Sequence, residues 1–280
     1  LNKTLDPAIF EWKSFATNQK YTLVEKCLRV SKLLEYPELD ITKYMNKIEQ
    51  IGHALEKNLA THHSKNPTYL ISMLNEYLFQ NLGYTGDEID YFNPKNNFLN
   101  DVIDKKSGIP VTLSIIYTEL AKYIGLDLKI VGFPGHILVK YNEEFILDPF
   151  NNGRLLDIDE LQDMLDTNFD GQIEFSPEFL DETTPKKILI RLVRNLKNSY
   201  TQSYAYKKAL KCTNMILTLE TEAIDEIRDK GILKERLGDY DSSLKYLNWY
   251  LEMNPNGEDV DFVLELIKSI RTRKRSINDR

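Results

Sequence analysis

Apolar residues recur at three- and four-residue intervals through the first third of the chain, a spacing that gathers them on one helix face. In YTLVEKCLRVSKLLEYP the stripe is Leu23, Val24, Cys27, Leu28 and Ser31, and Pro37 ends it. In LDITKYMNKIEQIGHALEKNL it is Tyr44, Ile48, Ile51 and Leu55, with Asp40 as N-cap. The polar THHSKNP interrupts the pattern. TYLISMLNEYLFQNLG resumes it through Leu70, Met73, Leu74, Tyr77 and Leu78, and Gly83 suits the helix end. The period changes after a loop over residues 83–96. NNFLNDVIDKKSG predicts a short helix. IPVTLSIIYTELAKYIG predicts a longer one, with Ile116, Leu120 and Ile124 on one face, Leu113, Tyr117 and Ala121 beside them, and Gly125 at its end. Then come three short apolar runs, LKIVGF, HILVKY and EFILDPF, divided by turns, which predict an antiparallel sheet. LDIDELQDMLD predicts a further helix starting near Asp157 or Asp159.

The polar stretch 166–185, broken by Gly171, Pro177 and Pro185, marks a domain boundary. The expected organisation is a helical N-terminal region (1–90), a core with a small antiparallel sheet (91–182) and an all-α region (183–280), an α+β protein as a whole. The last region contains a repeat. In GDYDSSLKYLNWYLEMNP the order Gly238, Tyr240, Ser243, Leu247, Tyr250, Pro255 follows the second half of a tetratricopeptide repeat. Gly231, Ala209 and Tyr200 fall on pattern positions, the latter two in a degenerate first repeat. Small residues let the two helices of a repeat approach, and aromatics fill between neighbours. Tyr200 is also the candidate partner-contacting residue. Two repeats need support, and DVDFVLELIKSI is the helix available for it.

Charge narrows the function classes. Of 280 residues, 36 are basic and 43 acidic, a net charge of −7, which argues against the whole chain being a nucleic-acid binder. The tail RTRKRSINDR, with Arg271, Arg273, Lys274, Arg275 and Arg280, is a local basic run that reads as a solvated terminus. The longest uncharged run, SGIPVTLSIIYT, is too short to span a bilayer, and LNKTLDPAIFEWKSF has no signal-peptide core. No membrane role and a cytoplasmic location are expected. Cys27 and Cys212 are far apart and sit in apolar stripes, so no disulfide is expected. His62 and His63 have no further ligand pair at metal spacing, and LDIDELQDMLD lacks the pattern of a calcium loop. No metal and no cofactor are expected.

The chemistry concentrates in GFPGHILVKYNEEFILDPF. A hairpin turning at Asn142 sets His136 opposite Asp148, Leu138 opposite Ile146 and Lys140 opposite Glu144. Paired side chains in a hairpin have Cβ atoms about 4.5–5.5 Å apart, so the carboxylate can hold the imidazole. A His–Asp pair is the orienting part of a nucleophilic triad.

These residues carry a resemblance. The order of helix, strand, GH, strand and LDP resembles the core of the transglutaminase-like superfamily, where a cysteine at a helix N-terminus is served by a His and then an Asp on following strands. YFNPKNNFLNDVIDKKSGIPVTLSIIYTELAKYIGL, VGFPGHILVKY, LDPFNNGRLL and EIRDKGILKERLGDYDSSLKYLNWYLEMNP resemble bacterial SirB-type proteins, which join such a domain to tetratricopeptide repeats. The resemblance covers about residues 20 to 270. It implies a transglutaminase-like, papain-like core carrying His136 and Asp148.

The resemblance places the cysteine position on Pro110. Proline suits the first turn of a helix, where no N–H is needed, but has no nucleophilic group. Thr112 and Ser114 are the nearest hydroxyls, rotated away from position 110 if the helix starts near Gly108. Asn97 is a candidate amide facing the histidine. Arg154 is a candidate partner of Asp148 or of a bound protein. The expected function is a non-catalytic scaffold binding protein partners through the old catalytic groove and the repeat surface. The alternative is a hydrolase or amide-modifying enzyme using His136 and Asp148 with water or with one of the hydroxyls.

Overall fold

Residues 7–59 and 65–278 are described by a computed structural model of the chain. The helices are α1 (Pro7–Ala16), α2 (Leu23–Leu34), α3 (Ile41–Leu59), α4 (Pro67–Asn75), α5 (Leu99–Lys105), α6 (Pro110–Lys122), α7 (Ile158–Phe169), α8 (Pro185–Gln202), α9 (Tyr206–Leu219), α10 (Ile224–Arg236), α11 (Tyr240–Met253) and α12 (Val260–Asn278). The strands are β1 (Thr85–Gly86), β2 (Ser107–Gly108), β3 (Lys129–Val131), β4 (Leu138–Tyr141), β5 (Phe145–Asp148) and β6 (Arg154–Leu156). Two compact units result, Phe15–Leu192 and, separately, the residues through Ser14 with Val193–Arg280. The division falls inside α8 and assigns the start of α1 to the C-terminal unit.

The first unit is organised around α6. Its sequence is apolar on every side, and Val111, Leu113, Ile115, Ile116, Tyr117, Leu120 and Ala121 are all buried, as a central helix requires. It packs against α2, α3, α4 and α5, and against strands β3 and β4. The sheet is antiparallel in the order β3-β4-β5-β6. On one face Val131, Leu138, Ile146 and Leu156 join Leu161 and Leu165 of α7 in one cluster. On the other, the mutually paired Ile130, Val139 and Leu147 are also buried, so both faces are covered. Asp157 caps α7 in a capping box with Glu160.

Three features differ from expectation. The expected sheet gains β6, a three-residue strand too short to stand out by alternation. β1 and β2 pair in parallel over two residues each, Thr85 with Ser107 and Gly86 with Gly108. The β4–β5 register is offset by two: Val139 opposes Leu147 and Lys140 opposes Ile146. The cause is the turn, which takes three residues, with Asn142 left-handed at φ +50°.

In the second unit α10 and α11 form the helix pair of a repeat. A Cβ on Gly231 would lie 2.7 Å from Leu247 Cδ2, and Ser243 Oγ donates 2.8 Å to the Gly231 carbonyl. These small residues set the approach of the two helices. Gly238, at φ +77°, makes the turn between them. Val263, Ile267 and Ile270 of α12 share a core with Ile227, Leu247 and Tyr250, the support expected of that helix. Trp12 of α1 adds further support: it is buried and its indole N–H donates 2.8 Å to the Met215 carbonyl.

Candidate functional site

Two local devices bring His136 and Asp148 together. A tight turn, closed by the His136 N–H donating to the Phe133 carbonyl at 3.0 Å, sets His136 just ahead of β4. Gly135 in that turn sits at φ +75°. Asp148 ends β5 and caps the short 3-10 turn Pro149–Asn151. His136 Nε2 then lies 3.0 Å from Asp148 Oδ1, although His136 is not Asp148's direct cross-strand partner. The contact is diagonal, which long side chains can reach. The expected pairing is thus found by a different register from the expected one.

Asp148 is held from several sides. Its Oδ1 also accepts from the N–H groups of Phe150 (3.0 Å) and Asn151 (3.4 Å), and its Oδ2 accepts from Asn151 Nδ2 at 2.7 Å. Burial pushes the carboxyl up, but hydrogen bonds from His136 and Asn151 and the charge of His136 outweigh it, leaving it below the usual range. Asn151 is a residue sequence reasoning passed over; the Asp-Pro-x-Asn order of a side-chain-capped turn is the signal for it. With Nε2 taken by Asp148, Nδ1 has no hydrogen-bond partner among the described residues. The ring stands edge-on to Phe150, centroids 6.1 Å apart, and Phe150 stands edge-on to Tyr91 at 6.1 Å. A Cβ on Gly86 would strike the Phe150 carbonyl at 2.6 Å, so glycine is needed for β1 to pass here.

Helix α6 packs against the Pro149–Asn151 turn, and its first residue is Pro110, buried. Thr112 is fully buried and already engaged: its Oγ1 accepts from the Ile109 N–H at 3.1 Å and donates to the Asn96 carbonyl at 3.0 Å. It is a brace for the helix start rather than an open nucleophile. Ser114 is fully buried with no hydrogen-bond partner for its Oγ, so solvent does not reach it. Both hydroxyl candidates are therefore corrected by burial. Asn97 makes no hydrogen bond with His136; it is buried, and neither end of its amide has a partner. Arg154 is the register partner of Asp148 but sends its guanidinium to Glu160, 3.1 Å from Oε1. Tyr200 is buried within α8, which removes it as a partner contact. Burial pushes the thiols of Cys27 and Cys212 up to about 12, far from a reactive thiolate.

Elsewhere, Arg273 pairs with Glu235 at 2.6 Å and Lys274 with Asp241, so the basic run is partly neutralised along α12. No three His, Cys, Asp or Glu side chains among the described residues come together as metal ligands. His62 and His63 lie outside those residues, as does Arg280. No helix among the described residues is long and apolar enough to cross a membrane.

The transglutaminase-like superfamily profile matches residues 42–194, and a tetratricopeptide repeat profile matches residues 196–268. A "UPF0162 protein" of Xylella fastidiosa is 31% identical over 260 residues, covering 90% of this chain and 92% of its own. Protein SirB1 of Salmonella typhimurium is 28% identical over 176 residues, 61% of this chain and 64% of its own. Human F-box only protein 21 is 27% identical over 138 residues, 45% of this chain and 21% of its own. No solved structure matches the chain significantly.

Proposed function

The chain is a SirB-type member of the transglutaminase-like superfamily joined to tetratricopeptide repeats, and on that premise we propose that it is a non-catalytic cytoplasmic scaffold whose transglutaminase-like groove and repeat surface bind protein partners. One observation carries the proposal. Helix α6 opens on Pro110, the position to which the resemblance assigns the nucleophilic cysteine of the superfamily's catalytic members, and the nearest hydroxyls and both thiols are buried. Thr112 is engaged, Ser114 is sealed, and both cysteines are buried. A His–Asp pair with no nucleophile to activate lacks the covalent step on which such catalysis rests. The repeat region, in turn, offers exposed aromatics, Tyr204 in the turn between α8 and α9 and Trp249 on α11, of the kind that anchor protein contacts.

A second reading rests on its own observation. His136 Nδ1 has no hydrogen-bond partner among the described residues and Asp148 is firmly held, so the imidazole can take a proton from water as the water oxygen attacks an amide or ester carbonyl, and return that proton to the amine or alcohol that leaves. Affinity capture from native lysate, using the full chain as wild type, as Tyr204→Ala/Trp249→Ala and as His136→Ala, separates the two. The scaffold reading expects a partner set depleted by the repeat-surface variant, and no covalent adduct or product that depends on His136. A partner set unchanged by that variant, together with a covalent adduct or product that needs His136, would overturn it.

A further inference from the structure

The four-stranded sheet has one covered edge and one open edge. Beside β3, Thr183 donates its N–H to the Ile130 carbonyl at 2.9 Å and accepts from the Gly132 N–H through its Oγ1 at 2.7 Å. Beside β6, no described strand pairs on the outer side. An unpaired strand edge is a template for an added strand unless something blocks it.

A groove of about 320 Å³ lies where β6 faces the helical segment formed by α4 and the π-helical turn Glu76–Asn81 that continues it. Gly153, Arg154 and Leu155 form one wall, with Phe145. The other wall presents Thr68, Ser72, Glu76 and Gln80, four residues apart, so they follow one side of the helix. The walls are tied at one end. Asn75 Nδ2 donates 2.8 Å to the Gly153 carbonyl and Asn75 Oδ1 accepts from Tyr117 at 2.7 Å. The groove is thus part of the fold, and neither His136 nor Asp148 lines it.

Its charge is unbalanced. Arg154 is the one cation on the walls, and Glu160, outside the groove, already pairs with it. Glu76 is exposed and no described residue pairs with its carboxylate. Leu155, 49% exposed, is an apolar side chain lining the same groove. A ligand here meets an open strand edge, an apolar patch and one unneutralised negative charge. We propose that this groove docks an extended peptide segment of a protein partner, laid along β6, with an apolar side chain on Phe145 and Leu155 and a lysine or arginine on Glu76. Strand addition supplies main-chain hydrogen bonds, and alternate side chains supply selectivity.

The test uses the full chain and fluorescein-labelled peptides of about eight residues, an extended length suited to strand addition. One alternates Val and Lys, and its counterpart alternates Val and Glu. Fluorescence anisotropy is expected to show binding of the Lys peptide and not the Glu peptide. Glu76→Lys, a surface change, is expected to weaken binding about tenfold or more, the scale of a lost interfacial charge contact. Leu155→Pro removes an edge N–H and is expected to weaken it too; Leu155→Asp tests the apolar wall should the proline variant not fold. Glu178→Lys, an exposed site outside the groove with the same charge change, and His136→Ala are expected to leave binding unchanged. Equal binding of both peptides, no binding, or equal losses in Glu76→Lys and Glu178→Lys would overturn the proposal. So would self-association that Glu76→Lys abolishes, which would assign the groove to a second copy. Sensitivity to His136→Ala alone would instead move the ligand to the His–Asp site.

Discussion

His136 and Asp148 meet at 3.0 Å without standing opposite each other in the hairpin. The imidazole leans diagonally to a carboxylate that is fixed by the turn it caps, not by the strand pairing. Asp148 is therefore the structural centre of the pair, and the histidine is the more dispensable member.

Asp148→Ala should destabilise the first unit by about 2–4 kcal/mol, because the Phe150 N–H and the Asn151 amide lose a buried anionic acceptor. His136→Ala should cost less, about 1 kcal/mol, since Asp148 keeps its other donors. Urea titrations monitored by circular dichroism check both.

The same carboxylate sets a pH dependence. Its folded pKa lies below the unfolded value, so its contribution is complete above the unfolded pKa of about 3.9 and is lost as pH falls through the folded value. At pH 7 wild type should be more stable than Asp148→Asn, and the gap should close progressively below about pH 4. A gap that is constant from pH 7 to pH 3 contradicts the assignment.

Gly153 sits at φ +69°, and a Cβ there would lie 2.0 Å from Asn75 Oδ1. Gly153→Ala should cost about 2–3 kcal/mol from the strained backbone and the collision together. Adding Asn75→Gly should recover part of it, and a double-mutant cycle in thermal unfolding measures that coupling.

Trp12→Ala should destabilise the C-terminal unit by about 3–5 kcal/mol, from the lost buried ring and its indole hydrogen bond to the Met215 carbonyl. Hydrogen exchange should show faster exchange in α9. Protection unchanged there would mean that α1 does not support the repeats.

The sequence made much of this architecture legible. Three apolar runs and their turns mark three of the four strands, and the short GH and LDP motifs single out His136 and Asp148. Register was less legible, because the hydrophobic pattern does not say that Asn142 adopts a left-handed conformation and lengthens the turn. Thr112 and Ser114 stand out in the sequence as the hydroxyls nearest position 110, but that both are buried is a tertiary property that the sequence does not show. The burial of Trp12 is not legible in the sequence. Nothing local says that its partner, Met215, lies 203 residues away. Asn151 was hidden for the opposite reason: its role is local, but turn asparagines are common.

The most direct test of the central claim is turnover of a fluorogenic amide and ester panel by wild type and His136→Ala, both as full chains with folding verified. A non-catalytic groove gives indistinguishable background rates in the two proteins. A wild-type rate that falls about a hundredfold or more in the variant, the scale of a lost general base, would contradict it and make the histidine a working catalyst.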